Sequence, residues 1–113
     1  MKFRAFRHNY HEASLVGFAV RGTEVIIDAV LSPCFNASEQ PSRVTFSGVT
    51  NTDEVSTFFA SLSKLDKIAA PIAQISALQY TGQGPNWVLF ELTRRVISDP
   101  HELVIRANQV HES

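Results

Sequence analysis

Disulfides, strong charge and long apolar runs are all missing or scarce here, and each shortage excludes something. One cysteine, Cys34, leaves no partner for an intrachain disulfide, which fits a reducing compartment. Ten Lys and Arg balance eleven Asp and Glu, so the chain lacks the basic field that holds nucleic acid. Lys2, Arg4 and Arg7 gather near the start, where three charges read as a solvated terminus. No apolar run is long enough to span a bilayer, and no apolar segment of the signal-peptide kind follows Lys2 and Arg4. The expected address is cytoplasmic, with no membrane or nucleic-acid partner; the Asn36-Ala37-Ser38 sequon is then irrelevant. Repeats and low-complexity tracts are absent too.

What is present is enough for a core. Hydrophobic residues make up 44% of 113 residues, which rules out general disorder and predicts one domain. The chain is organised around a hairpin from Ala13 to Leu31. Gly22-Thr23 suits a two-residue type II′ turn, whose first position needs φ > 0. That turn places Arg21 opposite Glu24, Val20 opposite Val25, Phe18 opposite Ile27 and Val16 opposite Ala29. The last three pairs form an apolar face for the core. The other face, with Leu15, Ala19, Ile26, Asp28 and Val30, is too apolar for full exposure, so a covering element, the helix, is expected over part of it.

The fold class expected is α+β, mainly antiparallel β: a meander that starts with the hairpin at about 13–31 and adds a third strand at about 43–50. One amphipathic helix at about 52–65 and strands at about 73–80, 87–97 and 102–110 follow. In the third strand Gly48 marks a bulge or a close backbone approach. Asn51 and Glu54 have the spacing of a capping box, and Val55, Phe58, Phe59, Leu62 and Leu65 make one apolar stripe. Residues 68–80 carry both helical and strand signals, and the turn-like Thr81–Asn86 favours a hairpin into the next strand. Residues 1–12 read as a lead-in whose aromatic rings tuck onto the sheet, and 32–42, bracketed by prolines, as the longest loop and a candidate surface.

No catalytic constellation stands out. His8, His11 and Glu12 are the only close cluster of metal-ligand types, and as metal candidates they are weak. The histidines are three apart and the glutamate follows them, unlike the helical His-Glu-x-x-His motif. A capping role for His11 and Glu12 fits better. Cys34 has no neighbouring cation and reads as an inert thiol. Asp28 lies in an apolar strand, and burial statistics favour an outward or Arg-paired carboxylate over a buried acid. Thr81–Asn86 lacks the Lys-Ser/Thr of a phosphate loop and the third glycine of a dinucleotide fingerprint, and Tyr80, Trp87 and Phe90 read as core. No catalytic residue, cofactor or bound metal is expected.

The runs His11-Glu12-Ala13-Ser14-Leu15-Val16, Val25-Ile26-Ile27-Asp28-Ala29 and Val44-Thr45-Phe46-Ser47-Gly48-Val49 resemble the opening of small bacterial proteins of unknown function. Some of these are similar to immunity proteins of polymorphic-toxin systems, which bind and block a toxin. The resemblance covers the first half of the chain and rests on strand patterning. It implies a non-enzymatic, cytoplasmic, mainly β protein in which His11 and Glu12 cap the hairpin, and it transfers no binding residue. A protein-interaction module using the 32–42 loop and the exposed sheet face is therefore the first expectation. The alternative is a small-molecule or metal-binding domain, or a small hydrolase, with His8, His11, Glu12 or Asp28 at the mouth of a pocket by the sheet edge. A homodimer through an unpaired Leu103–Val110 edge is compatible with either.

Overall fold

A computed structural model describes residues 6, 8–65, 73–82, 87–93 and 101–112. Seven antiparallel strands and one helix follow one another as β1 (Ala13–Arg21), β2 (Glu24–Val30), β3 (Pro41–Ser47), α1 (Thr52–Leu65), β4 (Ala73–Tyr80), β5 (Trp87–Thr93), β6 (His101–Arg106) and β7 (Gln109–Glu112). The sheet order is β6-β5-β4-β1-β2-β3-β7. Two runs of three consecutive strands are thus joined where β4 returns to pair with β1.

The hairpin forms as its turn chemistry demands. Gly22 has φ +60° and Thr23 is not in the positive-φ region, which is the II′ pattern. Arg21 pairs with Glu24, Val20 with Val25, and Phe18 with Ile27. Beyond Gly17 the expected register fails. A bulge between Leu15 and Gly17 makes Leu15, not Val16, the partner of Ala29. The extra residue reverses the alternation, so Ala13 and Leu15 are buried alongside the inward Phe18 and Val20, and Val16 is pushed out to 47% exposure. A matching bulge between Ile75 and Ala77 lets both Ile75 and Leu78 face inward. The two bulges lie where β1 meets β4, a contact of only three pairs from Ala13↔Ile75 to Leu15↔Ala73. The wings diverge from that short seam.

The far ends of the sheet come back together. β6 and β7 lie at opposite ends of the strand order, yet only Ala107 and Asn108 separate them. Two residues span at most about 11 Å between the flanking Cα atoms, so the sheet must curl nearly into a ring. The expected strand at 102–110 is therefore two strands, one paired with β5 and the other with β3. Asn108 N–H donates to Ser47 O at the break. Gly48 sits against it with φ +66°, where an added Cβ would come within 2.9 Å of the Asn108 Cβ; the close approach expected of Gly48 is present. The third strand starts two residues earlier than expected and ends at Ser47 because Gly48 turns the chain toward this junction. Expected strand residues 94–97 and turn residues 83–86 lie outside the described residues.

The helix closes the inner face. Val55 and Phe59 are buried; Phe59 stacks on Phe18 at 4.4 Å between ring centroids, and Phe58 meets Phe90 edge-on at 6.2 Å. The phenylalanines are the anchors that the stripe predicts; the side chains of Leu62 and Leu65 lie outside the description. Because Phe18 points inward, the helix covers that face and not the Ala19, Ile26 and Val30 face, which stays half-exposed. Asn51 sits just before the helix, where its carbonyl accepts Val55 N–H at 3.1 Å and its amide donates to Glu54 Oε1 at 3.4 Å, but its side chain is also used elsewhere. The Asn51 side chain receives Arg106 N–H at 3.0 Å and donates to Val104 O at 2.6 Å, while Thr50 N–H donates to Arg106 O. Its amide acts as a short strand on the outer edge of β6, so that stretch is covered and not the unpaired edge expected for a homodimer.

Candidate binding cleft

The site residues named from the sequence fall into two places. Asp28 faces outward and pairs with Arg43, Nε to Oδ1 at 2.7 Å and Nη2 to Oδ2 at 3.3 Å. The hydrogen bonds and then the charge of Asp28 hold Arg43 above its usual value. Asp28 is thus the Arg-paired residue that burial statistics favour. His8 and His11, in contrast, both line a cleft of about 610 Å³ between Phe6 with His8–His11 and the Ser76–Tyr80 half of β4.

The cleft exists because the chain before β1 does not continue the β1–β4 ladder. Glu12 takes a left-handed conformation, φ +63°, and its N–H donates to Ile75 O at 2.8 Å. That single residue swings the chain away from β4. His11 spans the gap with its ring, Nδ1 lying 2.9 Å from Ser76 O. Since a carbonyl only accepts, Nδ1 carries the proton in this contact. Glu12 does not line the cleft, and it is exposed. Among the described residues no group of three or more His, Cys, Asp or Glu side chains is gathered in metal-binding geometry. His11 caps a strand carbonyl, as the capping reading proposes, whereas Glu12 acts through its backbone.

The wall formed by residues 8–11 is held from behind by polar side chains distant in sequence. Asn36, in the 32–42 loop, receives Asn9 N–H at 3.1 Å, and its amide donates to Asn9 O at 2.9 Å and Ser32 O at 3.0 Å. It pairs with Asn9 as a neighbouring strand would. Asn9 in turn receives His11 N–H on its own side chain at 2.9 Å. The Tyr10 hydroxyl donates to Glu112 Oε2 at 2.7 Å and lies 2.9 Å from Ser42 Oγ. Phe35, 43% exposed, sets its ring edge-on to His11 at 4.9 Å and so extends the cleft's aromatic rim. Cys34 beside it is exposed and free.

Among the described residues, half of the lining is aromatic. Phe6 and Tyr10 meet edge-on at 5.5 Å, Tyr80 lies on the opposite wall, and Leu78 supplies an apolar floor. Among the described residues that line the cleft, none is Lys, Arg, Asp or Glu. Of the proposed core trio, Phe90 is buried, Tyr80 is half-buried in the cleft wall, and the Trp87 side chain lies outside the description. No sequence pattern pointed to Tyr10, Ser42, Asn36 and Glu112 as a set. Apart from the Asn36–Ser32 contact, their partners lie 27 to 104 residues away, and single asparagines or serines in polar stretches are too common to signal such contacts.

Among the described residues no helix is long and apolar enough to cross a membrane. Comparison of the chain with protein-family models, curated proteins and solved structures returned no match.

Proposed function

We propose that this is a non-catalytic protein-binding module that docks an uncharged, apolar or aromatic segment of a partner protein in the cleft between Phe6 with His8–His11 and Ser76–Tyr80. The observation that carries the reading is the cleft's composition: aromatic side chains from Phe6, Tyr10 and Tyr80 and no formal charge among the described lining residues, with the exposed Phe35 edge-on to the lining His11. Depletion of charge with enrichment of aromatics marks the centre of protein interfaces. The resemblance of the first half to immunity proteins, which work by binding a partner, supports the same reading.

Enrichment from an extract of the producing organism, with the purified chain as bait, tests it. A partner held by the wild type should be lost with Phe35→Ala and with Gln79→Asp, which places a charge in the cleft, and kept with Asp53→Asn on the helix. Equal retention by all three variants would refute the cleft as the docking site.

One observation favours a second reading, a small-molecule site: the volume falls within the roughly 300–1,000 Å³ range of ligand pockets, and two imidazoles line it. Native mass spectrometry would then show an adduct on the wild type that disappears with His11→Ala.

A further inference from the structure

Tyr10 lines the cleft, but what fixes it lies outside the cleft. The ring is only 2% exposed, and the hydroxyl reaches Ser42 of β3 and Glu112 of β7. A phenol has one proton. Tyr10 gives it to Glu112 Oε2, since a carboxylate only accepts; the Ser42 hydroxyl must then donate to the Tyr10 oxygen. The chain of donors therefore runs from Ser42 to Tyr10 to Glu112. The same Oε2 faces His8 N–H at 3.4 Å, so one carboxylate oxygen gathers two residues of one cleft wall. The Tyr10 ring also sets its neighbours, with Phe6 edge-on at 5.5 Å and His8 edge-on at 6.4 Å.

Glu112 is itself placed by the sheet. It pairs with Val44 in the β3–β7 ladder, four residues after the Ala107–Asn108 break.

We infer that Glu112 is the positioning residue of the cleft: the last strand, through its carboxylate, sets the wall that a partner meets. This rests on the reading of the cleft as a binding site, but the positioning can be measured without any partner. Removing the acceptor takes away the 2.7 Å partner of the Tyr10 hydroxyl and the oxygen facing His8 N–H, leaves the hydroxyl with Ser42 Oγ, and loosens His8, Tyr10 and the turn closed by Ala13 N–H on Tyr10 O. A glutamine keeps an oxygen at the same place and preserves the acceptor.

Residue-resolved amide hydrogen exchange on the full chain tests this with Glu112→Ala, Glu112→Gln and Tyr10→Phe. Glu112→Ala and Tyr10→Phe both remove the charge-assisted Tyr10–Glu112 bond, and Glu112→Ala the His8 N–H contact as well; each should raise exchange at Glu12 and Ala13 by roughly ten- to a hundredfold. Leu78 and Leu89 in the β4–β5 ladder should stay within about twofold, and Glu112→Gln should return residues 12–13 to within about threefold of wild type. Unchanged exchange at residues 12–13 in Glu112→Ala would overturn the proposal. So would an equal rise across β4–β5, which would mark a general loss of stability, or a Glu112→Gln variant as open as Glu112→Ala. If Glu112→Ala does not fold, Tyr10→Phe and Glu112→Gln decide the matter on the same amides. Partner enrichment with Phe35→Ala reports separately on the binding reading, so the two can fail independently.

Discussion

The helix-covered core and the cleft wall are held together by opposite means. Under α1, Phe18, Phe59 and Phe90 pack ring against ring, and the contacts are apolar and collective. Along residues 8–11 the Tyr10 ring is buried too, but directional hydrogen bonds to Asn36, Ser42, Ser76 and Glu112 tie the chain in place. Apolar burial scales with area and tolerates small shifts. A hydrogen-bonded wall has one geometry, and each missing partner leaves a polar group stranded. The difference shows how this protein keeps a rigid body while shaping one side of a cleft from a segment that belongs to no strand.

That contrast can be broken at several points. The largest effect belongs to the core: Phe59→Ala should lower stability by about 3–5 kcal/mol in urea unfolding, because it removes a buried ring from the helix–sheet contact. Gly48→Ala comes next, at about 1–3 kcal/mol, since the residue combines positive φ with the approach of Asn108; combining it with Asn108→Gly should recover part of the loss. Tyr10→Phe should cost about 1–2 kcal/mol and act on the wall, with the helix amides unchanged in hydrogen exchange. Phe35→Ala should change stability by less than about 0.5 kcal/mol while abolishing partner retention, which separates the rim from the fold. The smallest effect is expected of Asp28→Asn, whose partner Arg43 is exposed: the thermal midpoint should stay within experimental scatter.

The core was readable from sequence because its signals are local and periodic. The Val55, Phe58, Phe59 stripe has helical spacing, and Gly22 marks the hairpin turn, so α1 and the β1–β2 register near the turn follow from neighbours in the chain. The bulge at Val16 escaped because alternation was extended unbroken past Gly17, whereas burying Leu15 with Ala13 requires a change of phase. The split at Ala107–Asn108 escaped for a related reason: alternation over 103–107 is regular, and only ring closure against Ser47 interrupts it. At the cleft, His8 and His11 stand out in the sequence as weak metal candidates with capping as the preferred role; His11 does cap Ser76 O, and both rings line the cleft. The side chains that shape the cleft wall, Tyr10, Asn36, Ser42 and Glu112, find partners set by the tertiary fold, and Asn51 shows the same limit, since its contact with Glu54 follows from spacing but its bonds to β6 do not.

The most direct test of the cleft as a docking site is site-specific photo-cross-linking in an extract of the producing organism. A benzophenone side chain replaces Phe35 on the cleft rim in one sample, and in the other it replaces Thr23 at the turn end of the β1–β2 hairpin, away from the cleft. A discrete cross-linked partner from position 35 and none from position 23 is the predicted result. The same species from both positions, or none from position 35, would contradict the account.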